Sequence, residues 1–206
     1  MSGHRGRAEI HLTGALRMFG ELADPAGSSC AHLDLASLRA GDGQDHAALH
    51  HAKRALHLYR AVNHPTGVPR ALQAIGRQHG RLGAYDTALE FLHRVRDTQA
   101  AGGDQRGEQQ TRRALGAAYH RMGRYPEASA CYRRAAELCR DLGDRYYEAT
   151  ALRLLGRTRA AAGDVDLARC ARQDALTILE DLAHPAAVLV RADLGRAAVG
   201  GHHPPV

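Results

Sequence analysis

Apolar and small residues recur along this chain with a period of 40 residues. When the chain is shifted against itself by that interval, glycine aligns at Gly3, Gly43, Gly83, Gly123 and Gly163. Alanine aligns five residues later, at Ala8, Ala48, Ala88, Ala128 and Ala168, and a third column reads Ala15, Ala55, Val95, Ala135 and Ala175. Invariant columns in five successive segments are not expected by chance, and a period of roughly 20 to 50 residues indicates a repeat architecture.

The apolar positions between these glycines follow helical spacing. They predict an all-α fold without strands, with ten helices at 6–22, 28–40, 45–62, 66–82, 85–101, 105–122, 125–142, 145–162, 165–182 and 186–199. Consecutive repeats are separated by turns at 23–25, 63–65, 103–104, 143–144 and 183–185. Asp in such a turn can cap the next helix, and Pro fits its first turn.

Small residues also stand inside the helices, directly after a Leu or Ile, at Ala36, Gly76, Gly116 and Gly156. A small residue there lets two helix backbones approach closely, as does the alanine column of the following helix. The glycine column that begins at Gly3 falls between helices instead. Glycine can adopt the left-handed conformation that ends a helix, so we expect it to do so there.

One repeat carries a recognisable signature, which reads Leu115-Gly116-x-x-Tyr119, then Gly123-x-Tyr125, then Ala128-x-x-x-Tyr132 and Ala135. It resembles the tetratricopeptide repeat, although Arg112 and Arg140 stand where Trp and Pro are common and the period exceeds the usual ~34 residues. Longer repeats of this kind are similar to those of the kinesin-light-chain and LGN-like branches of the family. The resemblance implies a right-handed α-solenoid of antiparallel helix pairs.

This resemblance covers residues 1–199 and divides them by repeat. We expect a half repeat at 1–22, full repeats at 28–62, 66–101, 105–142 and 145–182, a solvating cap helix at 186–199, and a disordered tail at 200–206. Gly3 would be the turn glycine of a repeat whose first helix is missing. The apolar face of the half repeat then lacks a partner, which predicts self-association through Ile10, Leu12, Leu16 and Phe19.

A second resemblance concerns the last repeats. Three segments carry it: Leu138-Cys139-Arg140-Asp141-Leu142-Gly143-Asp144-Arg145, Ile178-Leu179-Glu180-Asp181-Leu182-x-His184-Pro185 and Val190-Arg191-Ala192-x-Leu194. They are similar to the C-terminal repeats of actinobacterial antibiotic-regulatory (SARP, AfsR-like) proteins. In that family a winged-helix domain and an NTPase domain precede the repeats. Only the array is present here, and the single lysine, Lys53, lies in no phosphate-binding loop. The resemblance implies part, or a derivative, of a bacterial transcriptional regulator.

The charge favours an acidic partner. The net charge is +6, and almost all positive charge is arginine, which suits bidentate contacts to carboxylates. No apolar run approaches the roughly 20 residues of a membrane span, and the N-terminus lacks a secretory signal, so we expect a cytoplasmic protein. We interpret the four cysteines, Cys30, Cys131, Cys139 and Cys170, as reduced and mostly packed.

In tetratricopeptide arrays the first helix of each repeat lines the ligand groove, and the resemblance therefore implies candidate binding residues. They are Arg70, Gln73, Arg77 and Arg81 in one repeat, Gln110, Arg113, His120 and Arg121 in the next, and Arg153 and Arg157 in the one after. Spacings of three, four and seven place each set on one helical stripe. One hypothesis is a groove that binds an acidic peptide. The other is that these arginines pair with neighbouring carboxylates.

Other chemistries are weakly supported by the residues. His46, His50 and His51 include an i, i+4 pair that could bind zinc, but no carboxylate or Cys completes a set, so we expect neither metal nor cofactor. No catalytic motif appears, and we expect no enzyme activity. Nucleic-acid binding through the same basic groove is the alternative to peptide binding. It is disfavoured because few aromatic side chains are available to stack on bases, with Tyr119 expected in the core.

Overall fold

The computed structural model describes the backbone of residues 2–199 and the side chains of residues 6–195, so the predicted tail at 200–206 lies outside the described residues. The described backbone is all-α, without strands. Its helices are α1 (Ser2–Glu21), α2 (Pro25–Gly41), α3 (Asp45–Ala61), α4 (Gly67–Arg81), α5 (Tyr85–Ala101), α6 (Gln105–Arg121), α7 (Tyr125–Asp141), α8 (Arg145–Ala161), α9 (Val165–Asp181) and α10 (Ala187–Val199).

The predicted helix boundaries are confirmed within one residue for α3 to α10, and differ at α1 and α2. Helix α1 begins at Ser2, so Gly3 is helical, and its prediction as a turn glycine is wrong. Helix α2 begins at Pro25 rather than at residue 28. The Asp24 carboxylate accepts a 2.9 Å hydrogen bond from the Gly27 N–H, and this cap starts the helix earlier than the apolar pattern indicated.

The described residues form two compact units, which divide between Gly102 and Gly103. In the first unit α1 packs on α2, α2 on α3, and α4 on α3 and α5. In the second, α7 packs on both α6 and α8, and α9 packs on both α8 and α10. Each unit is therefore a series of antiparallel helix pairs, as the repeat predicted.

The small residues inside the helices lie where neighbouring helices approach closely. A methyl group at Gly116 would come within 2.8 Å of the Tyr132 ring, and one at Gly156 within 3.0 Å of the Ala168 carbonyl oxygen. Ala128 and Ala168, of the alanine column, are buried. The predicted role of these columns is confirmed.

Left-handed residues end the helices. Positive φ angles occur at the predicted turn glycines Gly43, Gly83, Gly123 and Gly163, and also at Gly103 and Gly143. Three residues with side chains adopt the same conformation, with φ of 50° at Ala23, 49° at Asn63 and 48° at Ala183. The turn conformation is thus common to the repeats, although glycine does not always supply it.

The interpretation of all four cysteines as free thiols is confirmed, but their packing differs from the expectation. Cys139 is buried and Cys131 is half-buried, whereas Cys30 and Cys170 are exposed. Cys170 occupies the outward position of its helix, where Ala130 is also exposed one repeat earlier. The repeat therefore presents this position to solvent, whatever residue occupies it.

The terminal helices differ in two respects from what the sequence indicated. The apolar face of α1 is partly partnered, because Phe19 packs on α2 at Gly27, and Leu12 and Leu16 are half-buried. Ile10 alone of the four predicted residues is largely exposed. Helix α10 is not a polar cap, since its large exposed side chains include Val188 and Leu189.

Candidate binding face on helices α6 and α8

Helices α6 and α8 are joined by a side-chain hydrogen bond within the second unit. The Nδ1 of His120 lies 3.0 Å from the hydroxyl oxygen of Thr158, and the Thr158 hydroxyl lies 2.9 Å from the Leu154 carbonyl oxygen. Thr158 is fully buried. This contact holds the outward stripes of the two helices side by side.

A second contact between these helices involves Arg113. Its guanidinium carbon lies 5.3 Å from the centre of the Tyr147 ring. Its Nε is buried and, among the described residues, has no hydrogen-bond partner. Arg113 is therefore positioned by packing and cation–π attraction, and part of its hydrogen-bonding capacity is unused.

Three further arginines on α6 and α8 carry a positive charge that no described carboxylate compensates. Arg121 ends α6, and Arg153 and Arg157 lie one turn apart on α8, with all three exposed. No carboxylate among the side chains of residues 6–195 forms an ion pair with any of them. We call the surface formed by Arg113, His120, Arg121, Arg153 and Arg157 the α6–α8 face.

Two arginines at helix contacts elsewhere in the same unit are paired. Arg112 donates to Glu108 at 2.6 Å, and Arg140 donates to Glu148 at 2.8 Å. These are the two arginines that depart from the tetratricopeptide signature, and each holds a carboxylate that is largely buried. Arg112 and Arg140 are thus neutralised by buried carboxylates, whereas the α6–α8 face keeps its positive charge.

The charge of this face affects its titratable groups. Burial lowers the pKa of His120, and the positive charges of Arg157 and Arg121 lower it further. Burial raises the pKa of Tyr132 to about 12, while Arg157, Arg121 and Arg113 oppose that rise. The Tyr132 hydroxyl is buried and has no hydrogen-bond partner among residues 6–195. Both groups are thus uncharged at neutral pH, and the guanidinium groups dominate the local potential.

The candidate residues of the first unit lie in more varied surroundings. Arg70 and Arg77 are exposed on α4, whereas Gln73 is buried. Arg81 forms an ion pair with Asp45 and donates a 2.8 Å hydrogen bond to the Ala40 carbonyl oxygen. Gln110, at the start of the second unit, is exposed. Arg81 therefore has a structural role in joining α4 to its neighbours.

Sequence reasoning missed three side chains that lie beside the α6–α8 face, namely Tyr132, Tyr147 and Thr158. The pattern placed Tyr132 in the signature but did not show where its hydroxyl ends. In the sequence, Tyr147 was noted only as part of an aromatic pair with Tyr146. No motif or spacing indicated a role for Thr158. Tyr119, expected in the core, is buried.

Of the histidines singled out for metal binding, His50 and His51 have their rings packed edge-on. His51 also lies beside His32, with their Nδ1 atoms 3.0 Å apart. In the described part of the chain, no three His, Cys, Asp or Glu side chains are grouped so that they could hold a metal ion. Likewise, none of the helices within residues 2–199 has the length and apolar character needed to cross a membrane.

Residues 107–181, which include the whole α6–α8 face, match the model of the tetratricopeptide repeat family. This segment consists of tetratricopeptide repeats, and the chain has the fold of a tetratricopeptide repeat protein. The family match covers the signature repeat and the one after it, and the described helix pairs place it among all-α solenoids. No curated protein is detectably similar to the sequence.

Solved structures show the same fold at low sequence identity. BtubC (BKLC) from P. vanneervenii is 19% identical, with a TM-score of 0.70 over 98% of this chain and 93% of that one. A Rap protein in complex with competence and sporulation factor is 16% identical, with a TM-score of 0.71 over 82% of this chain and 48% of that one. A protein from Podosopora anserina described as a kinesin light chain is 19% identical, with a TM-score of 0.66 over 81% and 83%. At these identities the likeness concerns the tetratricopeptide fold alone.

Proposed function

We propose that the α6–α8 face binds an acidic peptide or protein segment without catalysing a reaction. Tetratricopeptide repeat proteins are generally protein-interaction modules, and a similar structure is that of a Rap protein complexed with competence and sporulation factor. The observation that carries the proposal is the grouping of three arginines without ion pairs among the described residues, Arg121, Arg153 and Arg157, on one face, whereas Arg112 and Arg140 of the same unit are paired.

The chemistry of these side chains suits carboxylates. Arg153 and Arg157 present their guanidinium groups one helical turn apart, and each can form two parallel hydrogen bonds to a carboxylate. Arg113 contributes a third cation that is already held against Tyr147, so less side-chain entropy is lost when it binds. A segment with two or three successive acidic residues therefore matches the face.

The test uses a fluorescent hexaglutamate peptide, with hexaglutamine and hexalysine as reference peptides. We expect hexaglutamate to bind the wild-type chain, and the double variant Arg153→Glu/Arg157→Glu to bind it at least about tenfold more weakly. The matched control is Arg133→Glu/Arg169→Glu, which makes the same charge change on the exposed surfaces of α7 and α9. Equal loss in both variants, or equal binding of hexaglutamine, would contradict a defined site.

The same binding measurement, made with a single-stranded oligonucleotide in place of the peptide, separates peptide binding from nucleic-acid binding. A single-stranded oligonucleotide that contacts several phosphates would lose affinity steeply with salt, in proportion to the number of contacts. If the oligonucleotide binds more tightly than hexaglutamate at physiological salt and loses affinity in Arg153→Glu/Arg157→Glu, the face is a nucleic-acid site.

We further propose that the protein acts in the cytoplasm, as part or derivative of a bacterial transcriptional regulator, and that it self-associates through α1. The regulator proposal rests on the sequence phrases at 138–145 and 178–194. The genomic sequence upstream of the Met1 codon tests it. An in-frame NTPase or winged-helix domain there would support the proposal, and an unrelated gene ending close to Met1 would contradict it.

A further inference from the structure

Helix α1 is equivalent to the second helix of each pair, and it exposes a face that is buried in the pairs of the second unit. Met18 is 59% exposed, whereas Leu138 of α7 and Ile178 of α9, at the same repeat position, are 1% and 8% exposed. In the first unit the same position is half-buried at Leu58 and exposed at Thr98. Ala8 is half-buried, although its equivalents Ala48, Ala88 and Ala128 are fully buried. The first helix of the pair covers this face elsewhere, and no described helix covers it on α1.

Helix α10 is the counterpart of α1 at the other end of the described chain, because α10 is equivalent to the first helix of a pair. Its Leu194-Gly195 matches Leu155-Gly156 of α8 at a spacing of 39 residues, one fewer than the repeat period, and this register places Val188 at the position of Ala149. Val188 is 64% exposed, whereas Ala149 is fully buried. A methyl group at Gly156 would meet α9, but one at Gly195 would have no neighbour within 4 Å. Helix α10 thus exposes the face that α8 uses to pack on α9.

We infer that copies of this chain associate head to tail, with α10 of one copy packing against α1 of the next to complete a repeat. The two exposed faces are the two halves of the α8–α9 type of interface, which the chain already forms internally, so a second copy is the occupant that fits each of them. The contact joins two different surfaces of identical chains. It is therefore heterologous, and it extends into an open oligomer unless it closes into a ring.

This inference deepens the proposed self-association through α1 by naming what α1 contacts. The competing arrangement is a symmetric dimer in which α1 packs on α1 of the partner copy. It would leave α10 free. Peptide binding at the α6–α8 face is independent of both arrangements, so hexaglutamate affinity measured on the same variants distinguishes failure of this inference from failure of that proposal.

Two variants block one end each. Ala8→Glu/Met18→Glu places charges on the exposed face of α1, and Gly195→Arg fills the open position on α10. Gly195→Arg is expected to leave the free chain folded, because a Cβ at this exposed position meets no described neighbour within 4 Å and arginine favours a helix over glycine. Met18→Glu alone is the second α1 variant, since Ala8 is half-buried.

The matched controls make the same charge changes away from these faces. Ile10→Glu/Leu22→Glu alters two α1 residues that are 71% and 72% exposed, at positions that remain exposed in complete repeats. Ala192→Arg adds an arginine to α10 at another exposed position, which is equivalent to Arg153 of α8. Circular dichroism verifies that each variant is folded before its mass is compared.

Sedimentation velocity measures the mass of each variant from low micromolar to millimolar protein concentration. We expect the wild-type chain and both controls to gain mass beyond a dimer with concentration, and each blocked variant alone to stay monomeric. An equimolar mixture of the two blocked variants should form a heterodimer, because each keeps one intact end. A wild-type chain that is monomeric throughout would overturn the inference. So would a Gly195→Arg variant that still forms dimers, which is the result expected for a symmetric α1 contact.

Discussion

His120 of α6 donates a hydrogen bond from Nδ1 to the hydroxyl of Thr158 on α8, over 3.0 Å. The direction follows from the next bond, because the Thr158 hydroxyl donates its only hydrogen to the Leu154 carbonyl oxygen. The proton of the neutral imidazole therefore lies on Nδ1, and Nε2 is free to accept a second proton. A side chain that joins the two helices is thus also able to change the charge of the α6–α8 face.

We predict that affinity for hexaglutamate rises as the pH is lowered from 7 to about 5.5, while the glutamates, with a pKa of about 4.3, stay ionised. Burial and the charges of Arg157 and Arg121 lower the pKa of His120 in the free protein. A bound carboxylate opposes these effects, so binding takes up a proton. Fluorescence anisotropy across this range measures the slope, and His120→Asn should flatten it. An unchanged slope in that variant would show that other histidines are responsible.

Gly116 permits the close contact between α6 and α7, and Gly116→Ala should destabilise the second unit. The new methyl group would lie 2.8 Å from the ring of buried Tyr132, and overpacking of this kind costs about 1–3 kcal/mol. Gly14→Ala is the control within a helix. It meets no neighbour within 4 Å and should stabilise by about 0.5–1 kcal/mol through helix propensity alone. Urea unfolding of both variants gives the comparison, and equal effects would contradict close packing at Gly116.

The helices and their pairing could be predicted from the sequence because each repeat carries its own boundary signals. Gly123 ends a helix by its backbone conformation, and Gly116 marks the contact between two helices, so both roles depend on residues close in the chain. Helix α2 began earlier than predicted because its start depends on the Asp24 side chain rather than on the apolar pattern.

The charge state of the candidate site could not be predicted in the same way. Arg81 and Arg121 occupy equivalent positions, yet Arg81 pairs with Asp45 from another helix and Arg121 pairs with no described carboxylate. The sequence contains both arginines but does not show which carboxylates reach them. The choice between a binding groove and a neutralised surface therefore required the positions of side chains that are distant in the chain.

Ala183 adopts a left-handed conformation with a φ of 48°, and Ala183→Gly should stabilise the second unit. This conformation costs a residue with a Cβ roughly 1–2 kcal/mol, and the greater backbone entropy of unfolded glycine offsets about half of that. We expect a net gain of about 0.5–1 kcal/mol. The reverse change, Gly163→Ala at a φ of 89°, should destabilise by a similar amount or more. Thermal unfolding of both variants measures the pair, and a loss in Ala183→Gly would show that the alanine side chain is needed.

Stability of the first unit should fall as the pH is lowered from 6.5 towards 4. Burial lowers the pKa of His32 to about 4, and the charges of His51, Arg54 and His50 contribute; the pKa of His51 is lowered mainly by burial as well. A histidine whose pKa is lower in the folded than in the unfolded chain stabilises the fold fully above the unfolded value of 6.5. That contribution is lost as the pH falls, because the unfolded chain binds the proton more readily. Urea unfolding of wild-type protein and His32→Gln at pH 7, 6 and 5 tests this, and the variant should lose less stability than the wild type. Parallel losses would mean that His32 and the 3.0 Å contact with His51 do not account for the pH dependence.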